Sequence, residues 1–435
     1  MRRRPIRIAG ALATVAICFL AGIGSRQSSV VDVGLFGISG IIPDPSYFDE
    51  LTMDVATSGF WVGASADFFG GKKETLHTGQ FRMFIEKGIT PIGTFYLGSV
   101  GEEAAHWAEE IVRYYGTGQG ATDAGGPVLY WELGDEENGG WGTACSPDEY
   151  ARRVSILGPA IRSGCPGCSI VMGGLLDGPE MDEWALAQYL QTFLESGGGE
   201  WIDIYAFHYY GLARPNATMP SSQLYDSAIP IVADMRLLLA EYGEQDSPIW
   251  VTETCTFSGG MGTVEQTESE QAADLVKRYV LLWSLGVEVV QWCYLTEPQY
   301  EGTGLGFFDQ SGLVYDGRGP YDQGEGVRKK AYFAYLEMLE NLRDATLLER
   351  AAESGVTVVS FTTAGGPIAV LWQDPWRRKG PIWIDSRDGV DVVDLYGNFV
   401  ASGSGSIRVD LALEPVYVLG DLVAVQLSAP ELMAP

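Results

Sequence analysis

Histidine, cysteine and positive charge are all scarce in this chain. There are 3 histidines and 6 cysteines among 435 residues. The histidines (His77, His106, His208) are scattered, and Cys165-Pro166-Gly167-Cys168 has no second CxxC to complete a zinc site. No metal and no organic cofactor is therefore expected. Lys and Arg number 28 against 57 Asp and Glu, for a formal net charge of −29. With no basic patch, nucleic acid and anionic membrane surfaces are poor partners, and the acidity reads as a solvated surface. Beyond the N-terminus no apolar run is long enough to span a bilayer. No glycine fingerprint follows the first strand, which argues against a dinucleotide-binding sheet. Pro/Ser-rich linkers are missing too, so any two domains are expected to be rigidly joined.

What is present begins with a targeting segment. Arg2, Arg3, Arg4 and Arg7 form a basic stretch, Ile8 to Ile23 an apolar one, and Gly22-Ile23-Gly24 offers small residues for cleavage. Arg3-Arg4 also fits a twin-arginine signal. Residues 1–26 are expected to be a signal peptide or an uncleaved anchor, which makes the protein secreted, periplasmic or attached to the cell surface. Cys18 lies in that segment, leaving Cys145, Cys165, Cys168, Cys255 and Cys293. Cys165 and Cys168 form either a local disulfide or two unpaired thiols in a turn. Five is odd, so at least one cysteine is free or pairs with another chain.

The body, with 46% hydrophobic and 11% aromatic residues, has ample material for a core. Apolar strands alternate with helical stretches. The strands are expected at 32–38, 60–63, 89–96, 127–133, 169–174, 202–209, 249–254 and 287–294. The helices are expected at 45–58, 75–87, 102–115, 147–163, 182–196, 224–242, 265–285 and 327–342. Near-continuous apolar strands signal a parallel sheet covered by helices, and eight units favour a closed (β/α)₈ TIM barrel over 30–343. From about Asp344 the period becomes two, with short strands expected at 356–361, 368–372, 381–384, 390–395, 406–411 and 415–419. This predicts a small C-terminal all-β, sandwich-like domain over 344–425 and a tail at 426–435.

Two strands end in glutamate. Val128-Leu129-Tyr130-Trp131 runs into Glu132-Leu133-Gly134-Asp135-Glu136-Glu137-Asn138, and Pro248-Ile249-Trp250-Val251-Thr252 into Glu253. Charge at the end of a buried strand is costly and is mostly kept for a task. In a (β/α)₈ barrel the C-terminal strand ends form the active site, and strands four and seven face each other across it. Two carboxylates there suit retaining glycoside hydrolysis, one as acid/base and the other as nucleophile.

Tyr130 to Glu136 resembles the W-E-x-x-N-E-P motif of clan A glycoside hydrolases, and Pro248 to Thr254 resembles their strand-seven nucleophile motif. Asp203 to Gly211, Met172-Gly173-Gly174-Leu175 and Lys330 to Tyr335 fit the same layout, so the likeness covers about 34–342. Family 39, the β-xylosidase and α-L-iduronidase group, and its relatives look nearest. The resemblance implies Glu136 as acid/base and Glu253 as nucleophile. It implies His208 and Tyr210 at the sugar site, with Tyr210 bonded to a carboxylate, and Trp292 as a stacking platform. Trp141 and Asn138 join Asp135 as candidate substrate-binding residues, although Asn138, like Glu137, also reads as a loop or capping residue. Glu132 reads as a structural hydrogen-bonder.

Two departures stand out. Where the clan has an asparagine able to donate to the sugar 2-hydroxyl, this chain has Asp135, which accepts unless protonated. Asp135 is thus expected to select a donor or cation at C2, or else to impair ordinary glycosidase activity. The clan's strand-two arginine is also missing, which leaves Glu253 without a guanidinium. The expected function is an exported retaining glycoside hydrolase acting on an oligosaccharide, polysaccharide or glycoconjugate. The alternative is a catalytically silent barrel that binds glycan or scaffolds an assembly. A metal-dependent (β/α)₈ hydrolase lacks clustered ligands. Leu295–Gly326, rich in glycine and acidic residues, is expected to form a mobile wall of the cleft. Cys145 and Cys255 fall in loops on the catalytic face and are close enough in topology to pair. Asn216-Ala217-Thr218 matches a glycosylation sequon.

Overall fold

The structure, a computed structural model, describes residues 6–7, 33–40, 44–62, 73–97, 100–139, 144–177, 185–211, 225–298, 304–374 and 380–427. The chain divides into two compact units, one spanning Val33–Arg343 and one holding Asp344–Pro435 with the N-terminal 32 residues.

The larger unit is a parallel barrel. Its strands are β1 (Phe36–Ile38), β2 (Val55–Val62), β3 (Thr90–Leu97), β4 (Tyr130–Leu133), β5 (Ser169–Met172), β6 (Tyr205–Tyr209), β7 (Ile249–Thr254) and β8 (Val289–Trp292). The hydrogen-bonded order runs β5-β4-β3-β2-β1-β8-β7-β6, and closes through a two-residue strand, Leu175–Leu176, that continues β5 and pairs with β6. The helices are α1 (Lys73–Glu86), α2 (Glu102–Gly116), α3 (Gln119–Ala124), α4 (Pro147–Gly164), α5 (Leu186–Glu195), α6 (Ala228–Glu241), α7 (Glu268–Ser284) and α8 (Lys330–Leu342). This is the (β/α)₈ fold that the alternation predicts. Every residue of β4, β6 and β8 is buried, as strands covered on both faces must be.

The expected helix at 45–58 is a departure. A 3₁₀ turn occupies Pro45–Asp49, and β2 already begins at Val55. Leu51, Met53 and Val55 are buried while Thr52 between them is exposed, so the period across this stretch is two. The i, i+4 spacing of Tyr47, Leu51 and Val55 matches a helix only by coincidence.

Local chemistry sets the other boundaries. Pro147 opens α4 behind Ser146, whose hydroxyl accepts from the Glu149 amide at 3.3 Å. Thr267 and Glu270 form a reciprocal capping box at the start of α7. Cys165 and Cys168 close a disulfide just after α4, which settles their alternatives, whereas Cys145, Cys255 and Cys293 are free thiols. Cys145 does not pair with Cys255; its Sγ donates to Glu137 Oε2 at 3.3 Å.

The C-terminal unit is one antiparallel sheet of β9 (Thr346–Glu353), β10 (Val356–Thr363), β11 (Gly366–Gln373), β12 (Ile382–Asp394), β13 (Phe399–Val409) and β14 (Val416–Gln426), in the order β9-β10-β11-β14-β12-β13. Ile6–Arg7 adds a short strand to β14. Val356, Val358, Leu371, Ile384, Val392, Val418 and Val425 share one apolar core. The expected separate strands at 381–384 and 390–395 are one 13-residue strand, β12, bent at a register shift between Ser386 and Val390. β9 is an addition to the expected set. Its charged, half-exposed face hides a strand pattern at an edge. Among the described residues no helix is long and apolar enough to cross a membrane.

Candidate active site

The C-terminal ends of β4, β6 and β7 bring four carboxylates and one imidazole together. Register shifts flank β7 on both sides, between Phe207 and His208 towards β6 and between Val290 and Trp292 towards β8. Such irregularities re-aim side chains at a barrel rim. In the resulting register His208 lies beside Glu253.

Glu136 sits two residues beyond Gly134 in a left-handed backbone conformation, φ 51°. A side chain in that region costs on the order of 1 kcal/mol and persists only where its surroundings hold it. Here the Glu136 amide donates to the Gly174 carbonyl at 3.1 Å, and its Oε1 lies 2.8 Å from His208 Nδ1. Gly174 is needed for the same arrangement. A Cβ there would lie 2.1 Å from His208 Cδ2, so the imidazole occupies the space a side chain would need.

Glu253 is held by hydroxyls. Tyr210 donates to its Oε2 at 2.5 Å and Ser39, just past β1, donates to its Oε1 at 3.3 Å. His208 Nδ1 is also 4.0 Å from Glu253 Oε2 and 3.9 Å from Asp135 Oδ1. The nearest oxygens of Glu136 and Glu253 are thus at most about 7 Å apart, a bound that admits both the retaining (~5–5.5 Å) and the inverting (~6.5–9.5 Å) separations. One atom each of Asp135, His208 and Glu253 fall within 4.8 Å of one another.

The electrostatics follow from burial and crowding. Burial alone would push the His208 pKa down, but Glu253, Glu136 and Asp135 around it outweigh that and raise it to about 10. His208 is accordingly a cation that donates to Glu136. Asp135 is pushed well above the usual carboxylate range, first by burial and then by the charge of Glu253, with Glu136 and Glu132 adding to it. Glu132, buried below, is also raised, chiefly by burial; Thr94 donates to its Oε2 at 3.0 Å. It is a structural residue of the barrel interior, as expected.

Two candidates differ from expectation. Trp292 is fully buried, and its Nε1 donates to the Ser311 carbonyl at 3.0 Å, so it packs the rim and offers no open face for stacking. Tyr294, two residues on, is the half-buried aromatic at this end of β8. Asn138 spends both ends of its amide on Leu176, donating to the carbonyl at 3.1 Å and accepting from the amide at 2.8 Å. It pins the strand that closes the barrel and is not aimed at a ligand. Glu137 is likewise structural, fully buried and paired with Arg153 Nη1 at 3.3 Å. Trp141 and the sequon at Asn216 lie outside the described residues. Ser39 escaped the sequence reading, because a lone serine after a strand carries no signal.

The segment after β8 is anchored where it is described. Lys329 is fully buried and paired with Glu297, and its Nζ donates to Ser258 Oγ at 3.0 Å and to the Gln310 carbonyl at 2.9 Å. Gln310, Ser311, Leu313 and Val314 are buried. The expected mobile wall is, over these residues, a packed one.

The fold matches a known architecture, that of solved glycoside hydrolases built on a (β/α)₈ barrel. A family 39 glycoside hydrolase from Bacteroides cellulosilyticus WH2 superposes with a TM-score of 0.66 at 16% identity, covering 88% of this chain and 80% of that one. A glucosidase from Croceicoccus marinus gives 0.63 at 15% identity over 92% of this chain and 97% of that one. AbfB, a family 51 α-L-arabinofuranosidase from Bifidobacterium longum, gives 0.61 at 12% identity over 91% and 97%. At these identities the likeness shows the fold. No protein-family model matches the sequence, and no curated protein matches it.

Proposed function

We propose that this chain is a retaining glycoside hydrolase, exported by its N-terminal segment, with Glu136 as acid/base and Glu253 as nucleophile. One observation carries the reading: carboxylates from the ends of β4 and β7 lie 2.8 and 4.0 Å from the same His208 nitrogen, in one barrel mouth. The likeness to solved glycoside hydrolases supports it.

In the first step Glu253 attacks the anomeric carbon and Glu136 protonates the departing glycosidic oxygen. His208 shares its Nδ1 proton with Glu136, so a proton is at hand on that side of the bond. Tyr210 and Ser39 orient the nucleophile through its two oxygens. In the second step Glu136 takes a proton from water, which releases the sugar from Glu253. Asp135 stands beside this pair as the residue that selects the sugar. By the clan's pattern it faces C2, where it favours a hydrogen-bond donor or an ammonium group.

The test is hydrolysis of aryl glycosides by the mature protein, with Glu253→Gln as control. The panel spans xylosides, glucosides, galactosides, uronides and 2-amino sugars. Turnover that disappears in the variant supports the assignment. Silence across the panel with glycan binding retained would move the reading to a binding or scaffold protein.

A further inference from the structure

Arg278, on α7, is fully buried beneath the ends of β6 and β7. A guanidinium in a core position of a barrel helix is costly to desolvate unless its donors are met. Four bonds engage four of its five N–H donors. Nε donates to Asp274 Oδ2 at 2.9 Å, one turn earlier on the same helix. Nη1 donates to the Tyr209 carbonyl at 3.1 Å and to Thr254 Oγ1 at 3.2 Å, and Nη2 donates to the Tyr210 carbonyl at 3.1 Å. The guanidinium also lies 4.9 Å from the Tyr209 ring centroid. Thr254 in turn donates to the Tyr209 carbonyl at 2.5 Å, which ties the ends of the two strands together.

These acceptors bracket the nucleophile. Tyr210 is the residue whose hydroxyl donates to Glu253, and Thr254 follows Glu253 directly. We propose that Arg278 is a positioning residue for catalysis: clamped by Asp274, it fixes the backbone of Tyr209 and Tyr210 against Thr254 and so holds the Tyr210 hydroxyl on Glu253. The chain lacks a guanidinium on strand two, and among the described residues the hydrogen bonds to Glu253 come from hydroxyls. Arg278 supplies order to that contact from below, through backbone carbonyls. Lysine is no substitute, since a single ammonium cannot span two carbonyls, a hydroxyl and a carboxylate in a planar fork.

The inference rests on the glycosidase reading, and the experiment separates the two. Arg278→Lys and Tyr210→Phe are made singly and together, and kcat and KM are measured on the aryl glycoside that wild type cleaves best, with melting followed by circular dichroism. Misplacing a reacting group by an ångström costs up to about 100-fold in rate, so Arg278→Lys is expected to lose about 10- to 100-fold in kcat with KM little changed. In the Tyr210→Phe background the same substitution is expected to cost little more, because the contact it serves is already gone. Should Arg278→Lys fail to fold, Thr254→Val, which removes one acceptor of the clamp, is expected to show a smaller loss with the same dependence on Tyr210. Losses that multiply in full, or a folded Arg278→Lys with wild-type kcat, overturn this inference alone. An inert wild-type protein overturns the glycosidase reading and this inference with it.

Discussion

Replacing Asp135 with asparagine isolates the one charge that sets this site apart. The nearest oxygens of Asp135 and Glu253 lie within 4.8 Å. Two unit charges at that distance interact by about 3.5 kcal/mol at an effective dielectric of 20. The Asp135 side chain is 37% exposed, so solvent screening cuts this to about 1–2 kcal/mol. An ammonium group seated against Asp135 gains attraction of the same order, and each 1.4 kcal/mol is about tenfold in affinity. The assay is kcat/KM for an aryl glycoside and its 2-amino counterpart as the pH rises from the ordinary carboxylate range, because the raised Asp135 carboxyl gains its charge only above that range. Asp135→Asn is expected to lower the ratio of amino to neutral substrate about tenfold. An unchanged ratio refutes the selective role. Stability provides an independent reading. Because folding raises the Asp135 pKa, the native state binds more protons than the unfolded chain, and ionising Asp135 costs stability as the pH rises above the usual carboxylate range. Asp135→Asn should therefore raise Tm at neutral pH, with the gain shrinking as the pH falls into that range.

Other outcomes follow from neighbouring contacts. Glu136→Ala should slow substrates with poor leaving groups far more than activated aryl glycosides, and added azide should restore turnover; equal losses on both would remove Glu136 from the acid role. Glu297 is raised from 4.5 to about 7, chiefly by burial, with Lys329 pulling the other way. Wild type should accordingly lose stability between pH 4.5 and 7, by as much as about 3 kcal/mol from this group, and Glu297→Gln should flatten that limb of a Tm–pH curve. The Cys165–Cys168 disulfide spans a sequence separation of only 3. Replacing both cysteines with serine should cost about 2 kcal/mol in chemical denaturation and leave kcat unchanged, since a short loop gains little from closure.

What the sequence showed and what it hid divide along physical lines. β4 and β7 were legible because a parallel strand buried on both faces has no polar alternation to confuse it, so a terminal glutamate stands out. Glu136, Glu253, His208 and Tyr210, which the resemblance places at one site, lie together in the structure. The region after β1 misled because Tyr47, Leu51 and Val55 satisfy two periods at once. Strand pairing with Thr90 and Pro91 decided between them, and pairing is non-local. Trp292 and Asn138 misled for a related reason. Their residue types suit a sugar site, but their partners, Ser311 and Leu176, lie 19 and 38 residues away.

The deeper omission concerns the cations. In a chain of net charge −29, each Lys or Arg reads by default as one more solvated side chain. Yet Lys277, Arg278 and Lys329 are fully buried. Lys277 lies over the Tyr225 ring at 5.2 Å, Arg278 ties the ends of β6 and β7, and Lys329 anchors the segment after β8. Helical periodicity alone places the 277–278 pair on a flank of α7, where nothing distinguishes a core arginine from a surface one. Only the backbone carbonyls at the strand ends explain the burial, because the rim of a barrel exposes acceptors that no strand neighbour satisfies. An acidic mouth built on such a rim needs donors from beneath, and Arg278 on α7 supplies them to the carbonyls of Tyr209 and Tyr210. On this argument, exchanging surface lysines and arginines of the barrel should change Tm by about 0.5 kcal/mol or less in equivalent stability. Removing Lys329, which leaves Glu297 buried without its partner, should cost about 3–5 kcal/mol. Comparable losses at surface and buried positions would show that the buried cations serve no such purpose.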